Sequence, residues 1–572
     1  MDKRFGSKFI VGVVLIIATA AIVLAGCTSP STTPVTSVTP VPSVMPVTNS
    51  TIVTMEYGQA VSMDYQTDNA YDTASQEPTQ ACYETLFYFN GNDVTTPIPV
   101  LATGYDLSSD GLVYTIYLRP NVTFHDGTAF NASAVKYSLD RLMLIDNGQA
   151  YSNFVGTIKG FAAYNNNLAN TTQADVDAYI AAGGVKVIND TCVQITLESP
   201  NSNFIKMLTF SATSIMSPTF DKAHGGYNAT GHAGNDYMVD HECGTGPFTM
   251  ESFLPKQSIT LDRYNNYWKG PAASAKIIIQ ETDDWNTRLL ALESGDADFI
   301  GVDSLHAPEV SNQSGLTLVA NPSLTVGAVE FNYNIWPWNI EKVRQAFVES
   351  FNKTLYIQTA TNGYATALNG PIPMGLIGGD INFTPQQFNP TDAKNLLIAA
   401  GFTPANKTTV TITYNQGNTN RQRMCQMIAD QVNSYTNETG LAVNIQEVAW
   451  AQYIPLMSSG KLPYASVGWQ ADYPGTDNFI SCFCYSKGYY MTLFNNPGNA
   501  TADALYQQSL KETDPAKQAA LYKQIVDIVD SDYPYIYTFQ SPALFAYNNH
   551  VKGIVYNPLN GGITVNYYTV YK

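Results

Sequence analysis

The sequence predicts an α/β fold with two or more domains. Segments rich in β-branched and aromatic residues alternate with segments whose apolar residues recur at helical spacing, from about residue 51 to the C-terminus. The chain has 572 residues, which is more than a single hydrophobic core holds. No internal repeat with a period of about 20 to 50 residues is visible.

In the first half of the chain the clearest elements are one strand, one hairpin and two helices. They are predicted at 113–118, 185–197, 131–144 and 285–294 respectively. The strand is β-branched and aromatic throughout. Asn131 is a good N-cap for the first helix, and Gly295 is placed to end the second.

In the second half, helices and strands again alternate. Helices are predicted at 341–353, 390–400, 421–435 and 515–529, and strands at 409–414, 441–448 and 465–468. Gly401 directly follows the second of these helices and is expected to stop it. The alternation therefore continues to the end of the chain, as the α/β class requires.

The N-terminus has the pattern of an export signal. Lys3, Arg4 and Lys8 are followed by an apolar run over 9–24 and by Leu24-Ala25-Gly26-Cys27. The run is short for a membrane span, which needs about 20 residues. The tetrapeptide resembles the lipobox of exported lipoproteins, so residues 1–27 are predicted to be a signal peptide ending at a lipid-modified Cys27. The alternatives are an ordinary signal peptide or a retained anchor, with Cys27 incidental.

Residues 28–50 are predicted to be a tether. They are almost entirely Thr, Ser, Pro and Val, a composition that buries no core and favours extended conformations. We therefore expect the remaining chain to be extracytoplasmic, held at the outer face of the cell membrane.

Composition and motifs exclude several functions. The net charge of −18 argues against nucleic acid, which requires a basic surface. Neither a GxSxG nor an HExxH motif occurs, so the chain is not expected to be an enzyme, and a secreted hydrolase is a remote alternative. Without a P-loop motif, the chain is not expected to bind ATP through such a loop. A surface-layer or adhesion protein would show repeats, which are absent.

Cysteines and histidines leave two questions open. Six cysteines besides Cys27 permit disulfides, but sequence alone does not select the pairing. His224, His232, His241 and Cys243 are close in sequence and are metal-ligand types, although their spacing matches no closed zinc motif. We predict no metal site and no cofactor.

The segment Trp469-Gln470-Ala471-Asp472-Tyr473 is the strongest candidate for a binding site. Two aromatic residues flank a carboxylate in a loop that follows a short strand. On local sequence alone, a buried tryptophan with a capping aspartate is an alternative interpretation.

Several segments, taken in order, resemble one family. They are 82–87, 110–119, 122–128, 135–141, 244–248, 264–268, 294–298, 331–332, 343–346, 399–402 and 469–474. Their order and spacing are similar to those of the extracellular solute-binding proteins of oligopeptide, dipeptide and nickel ABC importers, solute-binding family 5. The resemblance covers Thr51 to Lys572.

The resemblance implies a two-lobe fold like that of periplasmic binding proteins, with an extended first lobe and a hinge of two crossing strands. Lobe one would comprise 51–326 and 541–572, and lobe two 327–540. The crossings would lie near 324–331 and 537–545. Such a protein closes on its ligand, and the closed form is recognised by the importer. The expected partners are a peptide or other small solute and the permease and ATPase subunits; the protein is expected to be a monomer.

The resemblance also suggests a ligand class. In peptide-binding members the aspartate at position 472 pairs with the ligand's α-ammonium, whereas nickel-binding members have an apolar residue there. Asp472, Trp469 and Tyr473 are therefore the predicted ligand-binding residues. Dipeptide-binding members carry an arginine near 415–417, where this chain has none. Oligopeptides are thus the predicted ligands, with a nickel chelate or another non-peptide solute as the alternative.

Overall fold

The computed structural model describes residues 45–58, 60–67, 70, 72–145, 157–165, 170–379, 381, 383–560 and 563–572. The predicted signal peptide, Cys27 and tether residues 28–44 lie outside these residues. The last part of the tether contacts the folded body, since the Thr48 amide donates to the Ala273 carbonyl over 2.8 Å. Over the described ranges, no helix has both the length and the apolar character needed to cross a bilayer.

The strands are short apart from two. They are β1 Thr51–Glu56, β2 Phe87–Asn90, β3 Asp93–Pro99, β4 Ala102–Leu107, β5 Val113–Leu118, β6 Val185–Asn189, β7 Cys192–Thr196, β8 Phe248–Leu254, β9 Ser258–Arg263, β10 Lys276–Glu281, β11 Phe299–Gly301, β12 Leu316–Phe331, β13 Thr366–Ala367, β14 Thr408–Asn415, β15 Leu441–Val448, β16 Tyr464–Gln470 and β17 Tyr535–Asn548.

Eleven of these strands form one mixed sheet within the described part of the chain. Its order is β15-β14-β16-β12-β17-β11-β1-β10-β9-β8, with β13 paired to β17. β1 is parallel to β10 and β11, and β14 is parallel to β15 and β16. A four-stranded sheet, β4-β5-β7-β6, and the β2-β3 hairpin add to the N-terminal part.

The two long strands, β12 and β17, connect the two halves of the main sheet. They are antiparallel, from Leu316 opposite Asn548 to Glu330 opposite Tyr535, with irregularities after Pro322 and Val326. β16 pairs with the C-terminal half of β12, and β11 pairs with the C-terminal half of β17. Both predicted crossings lie within these strands. The lobe boundaries at 326/327 and 540/541 remain a prediction.

Apolar residues on both faces explain why β12 lies at the centre of the sheet. Val326 and Ala328 pack into one hydrophobic cluster, and Val329 and Phe331 into another on the opposite face. A strand buried on both sides is expected to be a nearly continuous apolar run. Leu324 to Phe331 is such a run, interrupted by Glu330, whose carboxylate is completely buried.

The helices pack on both faces of the main sheet and on the smaller sheets. They are α1 Thr73–Cys82, α2 Ala132–Ile145, α3 Phe161–Asn165, α4 Gln173–Ala182, α5 Phe204–Met207, α6 Pro218–Ala223, α7 Trp285–Ser294, α8 Ala307–Ser311, α9 Glu341–Glu349, α10 Lys353–Ala360, α11 Pro390–Ala399, α12 Thr419–Asn433, α13 Thr436–Thr439, α14 Trp450–Ser458, α15 Thr476–Cys484, α16 Tyr489–Leu493, α17 Ala500–Ser509 and α18 Pro515–Asp530.

One predicted helix ends earlier than expected. The helix predicted at 341–353 begins at Glu341 but ends at Glu349, and a separate helix, α10, begins at Lys353. The side chain of Asn352 accepts a hydrogen bond from the Leu355 amide over 3.0 Å and so caps a new helix. Phe351, in the break, is buried like the apolar residues of a helix, which explains why periodicity did not reveal the break.

The six cysteines that the structure describes form no disulfide. Cys82, Cys192, Cys243, Cys425, Cys482 and Cys484 are all buried and unpaired. They serve as small apolar side chains of the core.

Candidate functional site

A cavity of about 420 Å³ lies where the long strands cross. This volume is within the range of small-molecule sites, about 300–1,000 Å³. Its walls come from β12, β16 and β17, from the first turns of α12 and α14, and from the end of β1 with α1. The two strands that contain the predicted crossings, β12 and β17, therefore form part of the site itself.

Asp472 and Trp469, both predicted from sequence, line this cavity. Asp472 is partly buried, and only 5% of Trp469 is exposed. Asn478 of α15 positions both: its Oδ1 accepts from Trp469 Nε1 over 2.9 Å and from the Asp472 amide over 3.1 Å, while its Nδ2 donates to Asp472 Oδ2 over 2.8 Å. The carboxylate is thus held in one orientation beside the indole.

Aromatic rings form much of the wall around Asp472. The Trp469 ring lies 5.5 Å from both Tyr489 and Tyr490, measured between ring centroids. The Tyr490 hydroxyl donates to the Gly468 carbonyl over 2.7 Å and fixes α16 against β16. Trp450, the first residue of α14, lines the cavity as well. Rings with few rotatable bonds provide a rigid apolar surface for a ligand.

The third predicted residue, Tyr473, is not among the residues that line the cavity. Only 2% of it is exposed, and it packs into the hydrophobic cluster under the four-stranded sheet. Its hydroxyl donates to Asp477 Oδ2 over 2.7 Å. The structure therefore places Tyr473 behind the binding loop, in contact with the N-terminal part of the chain.

Arg421 lines the cavity, although its position on a predicted helix, like that of Arg423, is also what a helix-surface residue would have, and it is not among the predicted ligand-binding residues. It sits in the first turn of α12, where Asn418 caps the helix, and its Nη1 donates to Asn415 Oδ1 over 2.7 Å. Its guanidinium carbon lies 5.9 Å from the Trp450 ring centroid. Arg423, by contrast, is exposed. The sequence signal available for Arg421 was its position in the first turn of a helix that follows a strand.

Three further carboxylates, from Glu56, Asp72 and Glu77, line the cavity and were also missed. Burial raises the pKa of Asp72 to about 6 and the pKa of Glu77 to about 7. Burial, and then the charge of Glu77, raise the pKa of Glu56. None of the three belongs to a recognisable motif, and only the fold brings them to the site.

The charges of the cavity favour a cationic ligand group. Among the described residues that line it, the carboxylates of Glu56, Asp72, Glu77 and Asp472 face the single guanidinium of Arg421. Burying an ammonium without a counter-charge costs several kcal/mol. Burial raises the pKa of Glu56, Asp72 and Glu77, so these carboxylates are readily protonated in the empty site, and a bound cation favours their charged form.

The histidine-rich segment from His224 to Cys243 makes contacts typical of a packed loop. The rings of His224 and His241 stack on Tyr237 at 3.9 and 3.7 Å between centroids. Cys243 is buried. Among the residues that the structure describes, no group of three or more His, Cys, Asp or Glu side chains is arranged to hold a metal ion.

Residues 96–491 match the family described as bacterial extracellular solute-binding proteins, family 5 Middle. The glutathione-binding protein GsiB of Pectobacterium atrosepticum is 29% identical to this chain over 499 residues, which cover 86% of this chain and 89% of GsiB.

Solved structures of periplasmic binding proteins have the same fold. DppA of Helicobacter pylori, in complex with the peptide STSA, matches with a TM-score of 0.76 and 23% identity over 91% of this chain and 98% of DppA. NikZ of Campylobacter jejuni, in complex with Ni(L-His), matches with a TM-score of 0.73 and 19% identity over 92% of this chain and all of NikZ. The α/β two-lobe fold predicted from sequence is confirmed.

Proposed function

Because the chain belongs to the bacterial extracellular solute-binding proteins of family 5, we propose that it captures peptides in the hinge cavity and delivers them to the permease of an ABC importer. The ATPase subunits of that importer would supply the energy. Members of this family bind solutes and are not enzymes, so the pure protein is expected to hydrolyse neither peptides nor esters.

The observation that carries this proposal is the placement of Asp472. It lines the cavity beside the Trp469 indole, and Asn478 fixes its orientation. A carboxylate in such surroundings interacts more strongly with an ammonium than a surface carboxylate does. The α-amine of a peptide is a group of the right charge and size.

Arg421 supports a peptide rather than a simple amine. It is a cation in the same cavity as Asp472, so one wall offers a partner for an amine and another offers a partner for carboxylate or carbonyl oxygens. Oligopeptides remain the proposed ligands. The rival ligand is a nickel chelate or another non-peptide solute, because structural neighbours of this fold include NikZ with Ni(L-His).

Mass spectrometry of ligand released from the purified protein by denaturation tests this proposal. We expect peptides with a free N-terminal amine. A released metal chelate, or a solute without an amine, would contradict the proposal and favour the rival.

We further propose that the protein is anchored to the outer face of the membrane through a lipid on Cys27, with residues 28–50 as the tether. A Cys27→Ala variant should appear in the culture medium or the soluble extracytoplasmic fraction instead of the membrane fraction. If the variant stays in the membrane fraction, or if the wild-type peptide that contains Cys27 carries no added mass, lipid attachment at Cys27 is wrong.

A further inference from the structure

Glu56 and Glu77 form a second acidic site in the cavity, separate from the Asp472 loop. Glu56 is the last residue of β1, and Glu77 lies in the middle of α1. Both line the main cavity, and both also line an adjoining recess of about 30 Å³. The pair thus stands where the cavity continues into a side pocket.

The hydrogen bonds of the Glu56 carboxylate are incomplete. Its Oε1 atom is buried and has no hydrogen-bond partner within the described residues, and the nearby Thr54 hydroxyl is also left without one. Glu77 is 5% exposed and accepts hydrogen bonds from the Tyr567 hydroxyl and the Ile563 amide. A buried carboxylate oxygen without a partner is costly and requires an explanation.

The charge of Arg288 lowers the pKa of Glu56, and its Nε is buried without a partner, but no neighbouring base within the described residues donates a hydrogen bond to Glu56. The Arg288 guanidinium donates from Nη1 to the carbonyls of Thr282 and Asp283, over 2.6 and 2.9 Å. Lys256 lines the recess, where its charge acts on Glu281. Within the described residues, neither base forms an ion pair with Glu56 or Glu77.

Asp72 differs from this pair because both of its carboxylate oxygens accept hydrogen bonds from the start of α1. Its Oδ1 accepts from the amides of Ala74 and Ser75, both over 3.1 Å, and its Oδ2 accepts from the Ser75 hydroxyl over 2.8 Å. It is the N-cap of α1. Asp72 is therefore explained by its role as a helix cap, and Glu56 and Glu77 have no such role.

We propose that Glu56 and Glu77 bind a second cationic group of the ligand, the ammonium or guanidinium of a basic side chain. The inference rests on the proposed function, in which Asp472 takes the α-amine of the same peptide. The protein is then a binder of basic peptides. A Lys or Arg side chain enters past Glu56, its apolar stem lies along the cavity wall, and its charged end meets the two carboxylates.

Proton linkage follows from this arrangement. Burial favours protonation of both carboxylates in the empty site and raises the pKa of Glu77 to about 7, and the charge of Glu77 adds to the effect of burial on Glu56. A bound cation favours the charged carboxylates instead. Binding of a basic peptide near pH 7 should therefore release protons.

Calorimetry with matched peptides tests the inference. The probes are Ala-Lys-Ala-Ala and Ala-Ala-Lys-Ala, each compared with a counterpart in which norleucine replaces lysine, so that the charge is lost and the stem is kept. At least one lysine peptide should bind wild type roughly 10- to 100-fold more tightly than its counterpart, the range for a charge-assisted hydrogen bond. Repeating the titration in buffers of different ionisation enthalpy should show proton release for the lysine peptide.

The variants are Glu56→Gln and, independently, Glu77→Gln. Each should bring the lysine peptide close to the affinity of its norleucine counterpart and reduce proton release. Unchanged binding of the norleucine peptide shows that the variant is folded. If one variant does not fold, the other variant and the comparison of lysine and norleucine peptides on wild type still test the inference.

The outcomes separate this inference from the proposed function. If both members of each peptide pair bind wild type equally, and Asp472→Asn weakens them all, the basic-side-chain site is wrong while the peptide function stands. If no peptide binds wild type, both the peptide-binding function and the basic-side-chain site are wrong. A lysine preference that survives both glutamine variants would also overturn the inference.

Discussion

Asn478 shows how much the site depends on a residue that touches no ligand group by itself. It receives the Trp469 indole N–H and the Asp472 amide, and it donates to the Asp472 carboxylate. It is completely buried, so its amide has no water to exchange with. We regard it as a positioning residue for the ammonium site.

Asn478→Ala should weaken peptide binding about tenfold or more and lower the melting temperature. The substitution removes three hydrogen bonds and leaves a buried indole N–H without this partner, at a cost of about 1–3 kcal/mol per group. Isothermal calorimetry and differential scanning calorimetry measure the two effects. Asn444→Ala, an exposed asparagine on β15, is the control. Wild-type affinity in Asn478→Ala would contradict the positioning role.

Single residues were predictable where a local motif carried the information. Asp472 and Trp469 stand in a short aromatic and acidic segment and do line the cavity. Glu56, Glu77 and Arg421 stand in unremarkable surroundings, at a strand end, inside a helix and in a first turn. Only long-range pairing of the sheet brings them together, and pairing over such distances in sequence leaves no local pattern.

At the scale of elements, α15 connects the binding loop to the N-terminal part of the chain. Asp477 of this helix accepts from Asn203 Nδ2 over 2.9 Å, and Lys206 Nζ donates to the Pro474 carbonyl over 3.2 Å. Under the predicted division of the chain, both contacts join lobe one to lobe two. Asp472 precedes this helix by a few residues, so ligand contact and lobe contact share one short segment.

Asn203→Ala should therefore weaken ligand binding without touching the ligand. It removes a hydrogen bond to a buried carboxylate, about 1.5–3 kcal/mol, and that bond exists only when the lobes meet. We expect roughly 10- to 150-fold weaker binding of the peptide by calorimetry.

Small-angle scattering of the same variant provides the second measurement. Wild type should have a smaller radius of gyration with saturating peptide than without it, and Asn203→Ala should need more peptide to reach the compact form. Asn444→Ala again serves as control. Equal peptide dependence in Asn203→Ala and wild type would show that this contact does not stabilise closure.

Element prediction succeeded where periodicity and stop signals agreed. The strand at 113–118 and the helix at 285–294 match the structure at both ends, the latter because Gly295 adopts a positive φ of 83°. The break between α9 and α10 was missed because buried residues continue through it. The helix α15 was missed because nearly all of its residues are buried, so no polar face marks its period.

At the scale of the whole molecule, buried carboxylates couple stability to pH. Burial raises the pKa of Glu77 to about 7 and the pKa of Asp477 to about 6. Unfolded chains have values of about 4 for these side chains. At pH values between about 4 and 7, the folded protein binds protons that the unfolded chain does not bind. Lowering the pH through this range therefore stabilises the fold.

The ligand-free protein should therefore melt at a higher temperature at pH 5 than at pH 8. Other carboxylates act in the opposite direction at lower pH. Hydrogen bonds from the Thr287 hydroxyl and amide lower the pKa of Asp284, so its protonation below about pH 4 would destabilise the fold. Differential scanning calorimetry at several pH values measures it, and Glu77→Gln should flatten the slope near pH 7. A melting temperature that falls steadily from pH 8 to pH 5 would contradict the prediction.

The proposed function depends on an ammonium bound by Asp472, and calorimetry of Asp472→Asn tests this most directly. The substitution keeps the shape and removes the charge. Loss of one partner of a buried charged pair costs about 2–5 kcal/mol, or roughly 30- to several-thousand-fold in affinity. We predict that loss for a free-amine peptide, and little change for its N-acetylated form, which should already bind wild type poorly. Equal affinity of Asp472→Asn and wild type for the free-amine peptide would contradict the account and move a nickel chelate or another non-amine solute to first place.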